Sequence, residues 1–243
     1  MSKIRIHIKS NLHEGKKLNL SIDQSHYLKN VMRKKVNDSI YCFNENSGEW
    51  LCKIISIDKY VTIEVESVLN KNSPLDLDIW ICFSLIKPRN INFLIEKVSE
   101  IGVKRIIPIK SHYSEKIIVN LNRLNKIAIE AVEQSGGIII PKIEETVSLS
   151  NIFSNWDKNR IIVICDERGK CENIYKFIMN KNYKKLAIFL GPIAGWSKSD
   201  IDIFNSQTKS YFVSLGNRIL KADTAAIYAL SCCNSLLTKK YEK

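Results

Sequence analysis

The sequence predicts an α/β protein in two parts: a small β-rich barrel, then a mostly parallel sheet flanked by helices. Three observations carry this. Residues 1 to 69 read as short strands split by turn residues. From residue 75 onward, apolar strand-like runs alternate with helix-period segments, the pattern of a parallel α/β sheet. Between the two rhythms lies "NKNSP" (70–74), polar and ended by Pro74, which reads as a linker and the domain boundary.

In the first part, "IRIHI" alternates as a half-buried strand does. "SIYCFN", "EWLCKIISI" and "YVTIEVESV" follow as strands, separated by Asn46-Ser47-Gly48 and Asp58-Lys59. One short helix, "QSHYLKNVMR", interrupts them. In the second part, "DLDIWICFSLI" is a strand. "NINFLIEKVSEIG" is a helix, with Ile91, Leu94, Ile95 and Val98 at helical spacing and Gly102 as its stop. "RIIPI", "NRIIVIC", "KKLAIFL" and "SYFVS" continue the strands. "NRLNKIAIEAVEQSG", "ENIYKFIMN", a segment from 198 and a final one from about 223 continue the helices. Ser197 and Asp200 have the S-x-x-D spacing that opens a helix.

The 243 residues are 45% hydrophobic and 26% charged, enough for real cores. No run of 18 apolar residues suggests a membrane span. The start, "MSKIRIHIKS", lacks the apolar stretch of a signal peptide. Seven cysteines without a C-x-x-C read as reduced residues of a cytoplasmic protein, with neither a disulfide frame nor a metal site. The net charge of +12 favours a polyanionic partner such as RNA. Only eight of the 37 basic residues are arginine, so part of that excess reflects a general lysine bias.

In open α/β sheets, ligands bind past the carboxyl ends of strands. Three loops there stand out: "CDERG" (165–169), "LGPIAG" (190–195) and "SLGNRILKA" (214–222). Two of the last three strands exit into a Leu-Gly turn, in a chain with only nine glycines. Glycines let backbone N–H and C=O groups approach a ligand closely. A shared pocket is therefore expected. Neither loop is a phosphate cradle, because no G-K-[ST] and no G-x-G-x-x-G is present.

These residues resemble a known family. "LGPIAGWS" resembles the I-G-P-E-G-G-F-S motif of the 16S rRNA uridine-N3 methyltransferases, the RsmE family of the SPOUT class, and "LGNRILKADTAAIYAL" its L-G-x-R-I-L-R-x-E-T-A motif. "EKVSEIGVKRIIPI", "EAVEQSGGIIIPKI" and "HYLKNVMR" resemble further segments of that family, in order, over nearly the whole chain. Ile193 and Ala194 replace the family's Glu and Gly. Gly137 stands where arginine is usual, and Lys221 and Asp223 replace Arg and Glu.

The resemblance implies a PUA-like RNA-binding barrel over 1–70 and a SPOUT domain over 75–243 with a deep trefoil knot. It implies S-adenosylmethionine as cofactor, held by Leu190, Gly191, Pro192, Gly195, Leu215, Gly216, Asn217, Ile219 and Leu220. It implies a homodimer acting in the small ribosomal subunit, on N3 of uridine 1498 of 16S rRNA, without a metal. Two other readings stay open: a SPOUT enzyme acting on another rRNA or tRNA nucleotide, and a non-catalytic ribosome-assembly factor.

Methylating N3 of uridine expels a proton, so the developing anion needs a base or a stabilising cation. Arg218 and Asp223 are the catalytic candidates. Read from the residues alone, Arg218 is a surface ion pair and Asp223 the N-cap of the last helix. Arg5, His26, Arg33, Lys87 and Arg89 are the candidate RNA contacts. Each reads equally as a solvated surface charge.

Overall fold

Strands buried on both faces must be apolar at every position, and the C-terminal strands meet that demand. In the computed structural model, which describes residues 3–70, 77–168, 171–179 and 183–241, "IIVIC" is strand β10 (Ile161–Cys165), buried along its whole length. "KLAIFL" is β12 (Lys185–Leu190), buried after its first residue. The linker expected at 70–74 lies, after Asn70, outside the described residues, as does Gly169 of the 165–169 loop.

The described chain divides into two compact units. One comprises Met1–Pro74 and Val132–Ile140; the other comprises Leu75–Ala131 and Pro141–Lys243.

In the first unit, five strands run in the order β1-β3-β4-β5-β2: β1 (Arg5–His7), β2 (Lys17–Asn19), β3 (Ser39–Asn44), β4 (Gly48–Ile57) and β5 (Val61–Asn70). β1 pairs parallel to β3, and the other pairs are antiparallel. Register shifts along β4–β5 bend the sheet. Its inner face carries Ile6, Ile40, Cys42, Cys52, Ile54, Ile63 and Val65, with Leu28 packed in. Leu28 comes from the expected helix, which is split: α1 (Ile22–His26) runs on as a π-helical turn, Tyr27–Val31. Ser21 and Gln24 form a reciprocal capping box that starts α1. β2 was not expected, because three residues show no readable alternation.

Arg5 corrects an expectation. It is not an RNA contact on the surface but is buried, at 8% exposure. Its Nε donates to Glu49 Oε1 at 2.6 Å. Nη1 donates to the carbonyls of Val132 (2.8 Å) and Glu133 (3.2 Å), and Nη2 to that of Gly137 (2.7 Å). The guanidinium also lies over the Phe43 ring, 4.2 Å from its centroid. A planar fork of donors suits these converging acceptors, and burial keeps it from the surface a phosphate would approach.

The second unit is a wholly parallel eight-stranded sheet. Its main path is β11-β13-β10-β12-β6-β7-β8, with β9 also paired to β7. The remaining strands are β6 (Asp78–Ser84), β7 (Arg105–Lys110), β8 (Lys142–Ile143), β9 (Val147–Ser148), β11 (Glu172–Asn173) and β13 (Ser210–Ser214). The two-residue strands were not expected; they are too short to show a pattern. Side chains alternate between two cores. On one face, Ile81, Phe83, Val163, Ile188 and Leu190 pack with residues of α2 (Pro88–Ile101), α3 (Leu121–Ser135), α4 (Ile174–Met179) and α6 (Ala222–Tyr241). On the other, Cys82, Ile164, Ala187 and Phe189 pack with Phe204 of α5 (Lys198–Asn205).

At the amino ends of the strands, Arg160 acts as a clamp. It is 2% exposed. Nη1 donates to the carbonyls of Asp78 (2.7 Å) and Leu186 (3.0 Å), and Nη2 to Asp78 Oδ2 at 2.6 Å. Its guanidinium lies 3.7 Å from the Trp80 ring centroid. One side chain at the foot of β10 thus holds the feet of β6 and β12.

Two outcomes follow. Arg160→Met should leave the Asp78 carboxylate and two carbonyls without their donor, costing about 3–5 kcal/mol. Chemical denaturation checks this, and a loss under about 1 kcal/mol would refute the clamp. Arg5→Gln should destabilise the chain by about 2–4 kcal/mol by the same logic, whereas Arg33→Gln, on the surface, should stay within about 0.5 kcal/mol.

Candidate functional site

Because β13, β10 and β12 are parallel and in register, they end side by side. Ile164 is paired with both Phe189 and Phe212, and Cys165 with Val213. The three loops picked out in the sequence therefore leave the sheet at one edge. They enclose an open cleft of about 760 Å³, its solvent-open part included.

The first glycine loop is shaped by its own backbone and by Trp196. Gly195 N–H donates to the Pro192 carbonyl at 2.9 Å, closing a turn. Trp196 Nε1 donates to the Cys165 carbonyl at 3.0 Å, tying this loop to the end of β10. A Cβ on Gly191 would stand 3.2 Å from the Trp196 ring. Gly195 has φ +73°, and a Cβ there would overlap Glu167 Oε1. Ala194, which replaces a family glycine, is not in the left-handed region; among the described non-glycine residues only Arg33 and Asn37 are. The replacement therefore costs the loop no strain. Beyond the loop, Ser197 Oγ accepts from Asp200 N–H (3.1 Å), and Asp200 Oδ2 accepts from Ser197 N–H (3.0 Å), the expected start of α5.

The second glycine loop turns at Gly216, φ +115°, a conformation strained for any residue with a side chain. Its N–H donates to Ser214 Oγ at 3.2 Å. The chain then enters α6, whose first residues, Ala222 and Ala225, form part of the cleft wall.

The structure brings most of the expected residues together. Leu190, Gly191, Pro192, Gly195, Leu215, Gly216, Arg218, Ile219 and Leu220 all line the cleft. Asn217 and Asp223 do not. Asp223 is in the first turn of α6 rather than at its N-cap, because the helix already begins at Ala222. Its Oδ1 accepts from Thr224 N–H at 2.8 Å. Arg218 is exposed, and no ion pair joins it to a carboxylate among the described residues. His26, Arg33, Lys87 and Arg89 are exposed, each on its own unit.

The sequence pointed to the 165–169 loop but assigned it no residue. Asp166 and Glu167 both line the cleft, as do Cys165, Trp196 and Lys221. Burial alone would push the Asp166 carboxyl up. Hydrogen bonds from Arg168 Nε at 2.9 Å to each oxygen, and from Nη2 at 2.5 Å, outweigh burial and hold it below its ordinary value. Glu167 goes the other way: burial, then the neighbouring Asp166 charge, push its carboxyl up against the pull of Arg168. The Cys165 thiol is pushed far up by burial and stays protonated.

S-adenosylmethionine, the cofactor implied by the resemblance, fits these residues. Leu190, Pro192, Leu215 and Leu220 offer apolar walls to a planar base. The missing side chains at Gly191, Gly195 and Gly216 bare backbone polar groups to its edges.

Comparison with known proteins agrees in extent and order. A family described as an RNA methyltransferase domain matches residues 72–234, and one described as an RNA methyltransferase PUA domain matches residues 20–66. The chain is 32% identical to "Ribosomal RNA small subunit methyltransferase E" of Rickettsia conorii, over 93% of each chain. To the protein of the same name from Bacillus subtilis it is 28% identical, over 92% of this chain and 91% of that one. The fold resembles that of a Neisseria gonorrhoeae ribosomal RNA small subunit methyltransferase E bound to S-adenosyl methionine. That similarity has a TM-score of 0.86 at 22% identity and covers 97% of this chain and 98% of the other. With an N-terminal PUA-like region, a C-terminal SPOUT α/β domain and these matches along its length, the chain belongs to the ribosomal RNA small subunit methyltransferase E family.

Proposed function

We propose that this chain transfers the methyl group of S-adenosylmethionine to N3 of uridine 1498 in the 16S rRNA of the small ribosomal subunit. As a member of its family it is an S-adenosylmethionine-dependent methyltransferase of small-subunit rRNA. The observation that carries the reading is the cleft lined by both glycine loops, with Arg218, which has no carboxylate partner among the described residues, on its wall.

In this reading, residues 1–70 form the RNA-binding barrel and residues 75–243 the methyltransferase domain. The chain works in the cytoplasm as a homodimer without a metal. No helix among the described residues is long and apolar enough to cross a membrane. The trefoil knot is part of the proposal. It is supported by the sheet order, in which the link from β12 to β13 passes β10, and by the packing of α6 on α2 and α4.

When bound, S-adenosylmethionine supplies a methyl group activated by its sulfonium, so the chain's task is placement and charge stabilisation. The two glycine loops hold the nucleoside through their backbones. Arg218 donates to the uracil oxygens as N3 loses its proton, and Lys221, also lining the cleft, adds positive field. Asp223 has its carboxylate engaged with Thr224, so its part is to hold the start of α6. His26, Arg33, Lys87 and Arg89 grip phosphates.

Primer extension along small-subunit rRNA from cells with and without the gene tests the target, because an N3 methyl blocks pairing. A stop at uridine 1498 that persists without the gene would overturn it. Arg218→Ala should cut single-turnover methylation of small-subunit particles roughly a hundredfold, the size of about 3 kcal/mol. Cofactor affinity, measured by calorimetry, should hold. Gly191→Val and Gly216→Val should instead abolish cofactor binding. The first drives its side chain into Trp196, and the second cannot keep its backbone conformation.

A further inference from the structure

Glu167 is solvent-exposed, but it is exposed into the cleft wall rather than onto an open face. It lines the cleft, and its carboxylate lies against the backbone of Gly195, where a Cβ would overlap Oε1. Gly195 is required by the positive φ of the turn, and the carboxylate occupies the space its missing side chain leaves. The other lining carboxylate, Asp166, has both oxygens engaged by Arg168. Arg218 and Lys221 bring only donors. Among the described residues lining the cleft, Glu167 is therefore the carboxylate whose oxygens accept nothing.

A carboxylate with free acceptors on the wall of the cleft, beside the loop of Gly195, is placed to receive donors from a bound ligand. We propose that Glu167 binds the ribose of S-adenosylmethionine, accepting hydrogen bonds from its 2′- and 3′-hydroxyls. This rests on the reading that the cleft holds that cofactor. Three arguments select the ribose over the other donors of the molecule. Glu167 touches the loop that also walls the base site, and the ribose is one bond from the base. The amino group sits at the far end of a flexible chain and keeps its water. A carboxylate against the sulfonium would favour the charged ground state, whose charge is lost on transfer, and so would slow the reaction. A paired diol also matches the two oxygens of a carboxylate, as acidic residues past strand ends do in dinucleotide sites.

The test is calorimetry on the full-length chain with S-adenosylmethionine, S-adenosylhomocysteine and a 2′,3′-dideoxy form of the latter. Glu167→Ala should weaken the first two equally, by about ten- to a hundredfold, the range of hydrogen bonds to a charged group. Glu167→Gln, which keeps one acceptor, should recover part. The dideoxy ligand should bind the native chain about as weakly as the full ligand binds Glu167→Ala, with no further loss when both changes are combined. Independent, additive losses would overturn the assignment, and so would unchanged affinity in Glu167→Ala. A loss confined to S-adenosylmethionine would put the carboxylate at the sulfonium and overturn it equally. If the native chain binds none of these ligands, the cofactor reading itself fails. That result is distinct from all the others, because it does not depend on the variants.

Discussion

Everything at the cleft depends on three parallel strands ending in step. β13, β10 and β12 are hydrogen-bonded in that order, so the loops after Cys165, Leu190 and Ser214 leave the sheet side by side. Residues 25 and 50 positions apart in the chain become walls of one cavity. The register is held from below by Arg160, whose guanidinium joins the feet of β6, β10 and β12. Within the sheet, the strands are apolar on both faces and lie between two cores. Where the strands stop is therefore as firmly set as where they start.

The site built on that edge is made mostly of backbone. This explains why it tolerates Ile193 and Ala194 in place of the family's Glu and Gly. Ala194 adopts no left-handed conformation, and Ile193 is 72% exposed, so neither residue holds up the loop. The burden falls instead on Gly191 against Trp196, on Gly195 beneath Glu167, and on Gly216 at its turn. Trp196 matters as much as the glycines. It is the wall for Gly191 and, through its hydrogen bond to the Cys165 carbonyl, the tie between two loops.

Charge is used for different ends in different places. Arg5 and Arg160 are buried and donate to carbonyls and each to a carboxylate, so they serve structure. Arg168 is spent on Asp166. Arg218 is left exposed beside the cleft with no such partner among the described residues. The sum of +12 says nothing of this division. An arginine's role follows from whether acceptors converge on it, and convergence is a property of the fold.

The sequence by itself determined the strand and helix alternation, the capped start of α5, the two Leu-Gly turns and the family motifs around them. Each is a local matter of period, capping or glycine, read within a dozen residues. The two-residue strands and β2 escaped it because so few residues show no period. The tertiary structure decided the rest. It placed Glu167 over Gly195, 28 positions away, and occupied Asp166 with Arg168 so that the two adjacent carboxylates differ in role. It drew Arg5 to carbonyls 127 to 132 positions along the chain. It started α6 one residue before Asp223. No local pattern marks these pairings, because burial and hydrogen-bond partners arise only when distant segments are brought together by the sheet.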